Sequence, residues 1–301
     1  MSTAGTASGL ADSFRRSPGV VVAATVCALL AIAGAAAPWL APTDPTDLRA
    51  VSLMNSHLPP SWAAGGEPQF LLGTDEQGAD LLSLLLYGLR LSLGVGLAAV
   101  LLSLTIGVVL GLLSGYRGGW IDVVVMRLAD LQLTFPAILM ALLMGGIGTS
   151  LMSQPTRIAY ALPLVVLALG LSHWPHFARL VRGATLVERD KDYVAAARVT
   201  GLRAPAILFG HILPNVVNPI LVMASLDIAY AIMGEATLSF LGLGLPPTQP
   251  SLGSLIRQGY NFLFSGVWWL VFFPCGLLVA LVVAINVLGD WLRVALNPKL
   301  R

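Results

Sequence analysis

Charge is scarce in this sequence. Asp, Glu, Lys and Arg together supply 11% of its 301 residues, and lysine occurs only at Lys191 and Lys299. Soluble domains carry about 25% charged residues. With 56% hydrophobic residues and a mean hydropathy of +0.83, the shortage excludes a chain that mainly faces water. The net charge of +2 is too small to point to a nucleic-acid partner. Cysteine is nearly absent too. Cys27 and Cys275 both lie in apolar runs, which excludes a disulfide framework and a clustered-thiolate zinc site; they read as small buried hydrophobes. Enzyme signatures are missing. Neither lysine follows a glycine, so the G-x-x-x-x-G-K-[ST] loop that cradles nucleotide phosphates cannot form. His57, His173, His176 and His211 form no H-E-x-x-H pair and read as loop or span-end residues. Gly111-Leu112-Leu113-Ser114-Gly115 is a loose serine-elbow match without a histidine partner. No catalytic residue, metal ligand or resident cofactor is therefore expected.

What the sequence has is apolar runs. The first covers residues 20–40 behind Arg15 and Arg16. Its Ala35-Ala36-Ala37 resembles a signal-peptide cleavage site, but the run is longer than the about 7–15 residues of a signal core and matches the about 20 of a spanning helix. It is read as an uncleaved span. Five more follow at 91–115, 133–148, 159–178, 216–236 and 267–288. In lipid every backbone N–H and C=O must be paired within the segment, so these runs are helices. The expected architecture is all-α, a six-span polytopic membrane protein. Its divisions are a segment 1–19, a first span 20–40, a polar segment 41–84, and a five-helix body 85–301 containing a loop at 179–215.

Cation placement orients the chain. With the N-terminus cytoplasmic, thirteen of the seventeen cations fall inside: Arg15, Arg16, Arg117, Arg127, Arg179, Arg182, Arg189, Lys191, Arg198, Arg203, Arg293, Lys299 and Arg301. Only Arg49, Arg90, Arg157 and Arg257 fall outside. The positive-inside rule then puts both termini in the cytoplasm. Trp39, Tyr160, Trp268 and Trp269 mark the outer boundary, and Tyr116, Trp120, Trp174 and Trp291 the inner one. The 41–84 segment carries Asp44, Asp47, Glu67, Asp75, Glu76 and Asp80 and is expected to cap the outer face. In a second outer stretch, 237–266, Pro246, Pro247 and Pro250 interrupt any regular helix.

Four features invite a role. Gly107, Gly111 and Gly115 recur every fourth residue, a small-xxx-small face on which another helix packs closely. Asp130 and Arg127 are spaced to pair at i, i+3. Asp227 sits near the middle of the fifth span and Glu235 near its outer end. A carboxylate in a span is costly, so each is a candidate either for a polar pathway or for an interhelical hydrogen bond. A secondary transporter requires more such groups and broken helices in related halves. Finally, the 179–215 loop holds a short helix from Asp192 and Tyr193 through Ala195, Ala196 and Ala197. Asp190 or Asp192 is its N-cap, Gly201 its C′ residue, and Pro205 lies beyond. Its small side chains suit a helix seated in a partner's groove rather than one lying on a membrane.

Asp192-Tyr193-Val194-Ala195-Ala196-Ala197-Arg198-Val199-Thr200-Gly201, followed by His211-Ile212-Leu213-Pro214-Asn215, resembles the EAA loop of binding-protein-dependent ABC importers. The segments from Leu72 to Asp80, Tyr87 to Leu93, Gly115 to Asp122 and Glu235 to Gly244 are similar to segments of dipeptide/oligopeptide permeases of the C-subunit type, in the same order. The resemblance implies a type I importer permease. Its implied partners are a second, homologous permease, two cytoplasmic ATP-binding subunits that bind ATP and Mg, and an extracytoplasmic substrate-binding protein, in the bacterial cytoplasmic membrane. It implies that Asp192, Tyr193, Ala195, Ala196, Ala197, Gly201, Leu213 and Pro214 form the ATPase-docking element, and that the cargo is a peptide, with nickel, haem or another small solute as the alternative. Three positions depart from the pattern. Ala195 stands where the family has glutamate, Ala79 where it has arginine, and Leu252 where it has tryptophan. Asp192 and Glu188 are the nearby acids able to replace the missing charge.

Overall fold

The computed structural model describes residues 13–45, 51–150, 153–246 and 248–296. Both chain ends, and with them Asp47, Arg49, Pro247, Lys299 and Arg301, lie outside the described residues. Helix dominates the rest: α1 Pro18–Ala35, α2 Leu81–Arg117, α3 Gly119–Leu133, α4 Ala137–Ser150, α5 Gln154–Arg189, α6 Asp192–Val199, α7 Leu213–Phe240, α8 Leu252–Phe262 and α9 Trp269–Ala295. The only strand-like pairing among the described residues is an isolated bridge between Thr74 and Asp80. Five helical stretches are long and apolar enough to cross a membrane, or six if one sharply bent pair is counted as a single broken span.

That pair corrects the expected third span. Residues 133–148 are not one helix: the segments Gly119–Thr134 and Ala137–Gly148 meet at 90°. Pro136 is the cause, since it disfavours helical backbone at Phe135 and offers no N–H. With 14 residues α4 is about 21 Å long, too short for about 30 Å of hydrocarbon. α3 folds back along α5 instead. Arg182 donates to Asp122 at 2.5 and 2.6 Å, and Arg179 to Asp130 at 2.5 Å. Asp130 thus pairs across helices rather than with Arg127. Trp174 Nε1 donates to Gln132 Oε1 at 2.8 Å, while Gln132 Nε2 donates to the carbonyl of Leu171. Pro175, four residues on, is what leaves that carbonyl without its helical donor.

Helix ends also moved. α2 starts at Leu81, ten residues before the expected span, because Asp80 caps it by accepting from the backbone N–H of Ser83 at 2.9 Å. Arg90, counted above as an outer-segment cation, therefore lies within α2. α5 continues to Arg189, so 179–189 is helix rather than loop. α8 occupies the 237–266 stretch, expected to be irregular, and begins just past Pro250 on a Ser251–Ser254 capping box.

The most extensive helix seam joins α2 and α5. It is the glycine stripe. A Cβ on Gly107 would sit 2.4 Å from Phe177 Cβ, one on Gly111 2.7 Å from the Ala178 carbonyl oxygen, and one on Gly115 2.7 Å from Thr185 Cβ. α7 packs on α2, α5 and α9, and α1 lies against α2 and α9. The polar segment folds over the end where α2 begins, with Trp269 Nε1 donating to the Thr74 carbonyl at 3.2 Å.

Candidate functional site

At one end of the bundle, α6 projects between α5 and α7. No side chain caps it. Lys191 is the N-cap residue in place of the expected Asp190 or Asp192, and Asp192 instead sits in the first turn, where its charge favours the helix dipole. Gly201 has φ +79° and closes the helix as expected, with its N–H on the Arg198 carbonyl and the Leu202 N–H on that of Ala197.

α6 has two faces. Val194 and Ala197, at i and i+3, are buried among Val108, Leu112, Val181, Ile207, Leu208 and Ile212. Ala195, Ala196 and Val199 are exposed, Val199 to 89%. Ala197, expected to meet a partner, is thus turned into the chain's own core.

Three side chains brace this helix. Tyr193 donates to Glu188 Oε2 at 2.7 Å, Lys191 donates to Glu188 Oε1 at 2.6 Å, and Asn215 Nδ2 reaches the Tyr193 hydroxyl at 3.4 Å. Partial burial and the neighbouring Glu188 push the Tyr193 hydroxyl up to about 12, so it stays a donor at neutral pH. The Arg198 guanidinium lies 5.2 Å from the Tyr116 ring centroid, and Arg189 donates to the Gly115 carbonyl at 2.8 Å. Glu188 is therefore already engaged, whereas Asp192 is exposed. Leu213 packs on the same apolar cluster, and Pro214 sits in the first turn of α7 behind a wide turn at Leu208–Ile212. Such a turn suits a proline that cannot donate to the carbonyl four residues back.

Deeper in the bundle, Asp227 is 5% exposed. His173 Nδ1 lies 2.7 Å from its Oδ1, and Ser103 Oγ donates to Oδ2 at 3.4 Å. Asp227 lines a recess of about 310 Å³ with His173, His176, Met223, Leu226 and Tyr230. Met223 and Leu226 also wall a second recess of about 560 Å³, which reaches Asn215, Asn218 and Arg293. The two recesses share Met223 and Leu226 and follow one another along α7, the first against α5 and the second toward the end of α9; together they form a groove that is polar at both ends. The histidines of this groove lie well inside α5, not near a span end as their positions in the sequence suggested.

Glu235 is placed differently. Fully buried, it accepts from Ser92 and Ser239 at 2.7 Å each, while Ser92 Oγ also accepts from the N–H of Leu252 at 3.2 Å. It ties α7 to α2 and to the start of α8, and lines neither recess of the groove.

Residues 107–301 match the family described as binding-protein-dependent transport system inner membrane component. Full-length similarity extends to several curated proteins. The dipeptide transport system permease protein DppC of Escherichia coli is 42% identical over 289 residues, 96% of this chain and 91% of that protein. Its namesake in Haemophilus influenzae is 37% identical over 288 residues, 96% and 93% of the two chains. The di/tripeptide transport system permease protein DppC of Pseudomonas aeruginosa is 38% identical over 291 residues, 96% and 91%. Among solved structures, a chain of the MetNI methionine ABC transporter in inward-facing form superposes with a TM-score of 0.54 at 21% identity, covering 71% of this chain and 96% of that one, a likeness of fold. A helical bundle with spans of this length, a braced short helix at one end and these relatives converge on one assignment: the chain belongs to the inner membrane components of binding-protein-dependent transport systems, the permease subunits of ABC importers.

Proposed function

We propose that this chain forms half of the pathway of a peptide importer, together with a second, homologous permease. Two cytoplasmic subunits hydrolyse ATP with Mg, and an extracytoplasmic binding protein delivers a dipeptide or oligopeptide. The full-length relatives support peptide as cargo. Cation placement supports cytoplasmic termini in the bacterial inner membrane, with α6 on the cytoplasmic side.

The observation that carries the reading is the two-faced α6. Its inner face is sunk in the bundle, and its exposed residues are the small Ala195 and Ala196 together with Asp192, Arg198 and Val199. A helix so built transmits force as part of a rigid body. Closure of the ATPase pair moves α6, and α5 and α7, braced to it through Glu188, Tyr193 and Asn215, move with it. α5 and α7 are also the walls of the groove that holds Asp227. Glu235 serves as a structural tie. The chain moves cargo and makes or breaks no bond itself.

Reconstitution in liposomes with the cognate partners tests the reading. ATP-dependent uptake of a di- or tripeptide is expected. Uptake of nickel or haem but no peptide would overturn the cargo assignment.

A further inference from the structure

A third recess lies on the other side of α7. Met223, Asp227 and Tyr230 face the polar groove, whereas Ile228, about 100° further round from Asp227, helps line the opposite side. With Cys27 and Ala31 of α1 and Arg90, Gly94 and Leu97 of α2, Ile228 bounds a space of about 700 Å³. Leu93, Ile285 and Leu288 complete its mainly apolar walls; besides Arg90 the polar lining residue is Ser225, whose hydroxyl is taken up by the Val222 carbonyl at 2.7 Å. Gly94 has open space where a Cβ would stand.

Arg90 is exposed, and among the described residues it has no hydrogen-bond or ion-pair partner. It sits where α1 ends: a Cβ on Gly34, one residue from the last of α1, would be 3.2 Å from the Arg90 backbone nitrogen. This is a membrane-boundary level, with the recess descending from it. From Arg90 to Leu97 the drop is about 10 Å, within the about 15 Å of one leaflet's hydrocarbon. α1 itself is weakly packed, with 11% of its apolar window buried.

The geometry points to a binding site for an anionic phospholipid, with the headgroup phosphate on Arg90 and one acyl chain in the recess beneath, packed between α1 and the bundle. An arginine that merely reaches toward water from a helix needs no ligand. Here the cation stands directly over an apolar slot that α1 leaves unfilled. A phosphate pairs with guanidinium through charge-assisted hydrogen bonds, and the chain fills the slot; phosphatidylethanolamine carries the same phosphate, but its own ammonium opposes the Arg90 cation, which leaves the net-anionic lipid favoured. The lipid then acts as a fastening for α1. The inference is independent of the cargo.

Native mass spectrometry of the assembled permease pair with its ATPases, loaded from equal phosphatidylglycerol and phosphatidylethanolamine, tests it. The wild type should retain phosphatidylglycerol with a preference of about tenfold, equivalent to about 1.4 kcal/mol. Arg90→Gln should abolish the preference, Arg90→Lys should keep most of it, and Gly94→Phe should lower retention of both lipids by blocking the slot. Equal retention of the two lipids by the wild type, or a preference that survives Arg90→Gln, would overturn the site. So would loss of all bound lipid on assembly with the second permease, which would mean that protein covers the recess.

Discussion

Asp227 and His173 are 54 positions apart in sequence and 2.7 Å apart in space. A carboxylate in a span persists only where its desolvation is compensated, and His173 with Ser103 supplies the compensation. Yet the same carboxylate lines an open groove, which a purely structural bond does not need. Asp227→Asn preserves the side chain's shape and its ability to accept a hydrogen bond. The complex should assemble normally while basal ATPase or transport changes severalfold; unchanged values of both would reduce Asp227 to a structural tie. Tyr193 allows a finer test. Tyr193→Phe removes the donor to Glu188 and the acceptor for Asn215 while leaving the ring. Transport per ATP hydrolysed should fall while ATPase association holds, and an unchanged ratio would show that the brace transmits nothing. Because the hydroxyl is held at about 12, above the ordinary value of about 10, its contribution is fully present below pH 10 and fades only as pH rises through 12. Coupling measured between pH 6 and 9 should therefore show no titration that Tyr193→Phe removes.

The helices α2 and α5 meet so closely that no side chain fits between them. Gly111→Leu should cost about 1–3 kcal/mol through overpacking, seen as a lowered melting temperature of the purified permease. Gly183→Leu on the exposed side of α5, where nothing lies within 4 Å, should leave it unchanged. Equal melting temperatures for the two variants would mean that the seam yields. This stripe was legible in the sequence because small-xxx-small spacing is a local pattern. The break between α3 and α4 was hidden by composition: Pro136 sits inside an otherwise apolar run, and α3's acids look like loop residues until Arg179 and Arg182 are brought to them. The extension of α5 to Arg189 was missed for the same reason, since those cations read as loop. The inward turn of Ala197 had a signal, the i, i+3 spacing from Val194, but three consecutive alanines give little contrast between faces. The partners of Asp227 and Glu235 had none, because they come from other helices.

Across the whole molecule, five of the six expected spans were easy to locate because about 20 apolar residues leave few alternatives, while the groove and the two-faced α6 emerge only from packing. Topology has a direct check. A single cysteine at Val199, 89% exposed, should react with an impermeant thiol reagent only from the cytoplasmic side, and one at Ser254 only from outside; labelling of Val199→Cys in intact cells would invert the arrangement. The central claim is that the outward face of α6 couples the bundle to the ATPases. Ala196→Trp tests it most directly, since Ala196 is exposed and a large side chain there disturbs only an external partner. Stimulation of ATPase activity by the loaded binding protein is measured in the reconstituted complex, beside Met54→Trp, an exposed position at the opposite end. The account predicts that Ala196→Trp inserts normally but loses stimulation or ATPase association while Met54→Trp keeps both; full association and full stimulation by Ala196→Trp would contradict it.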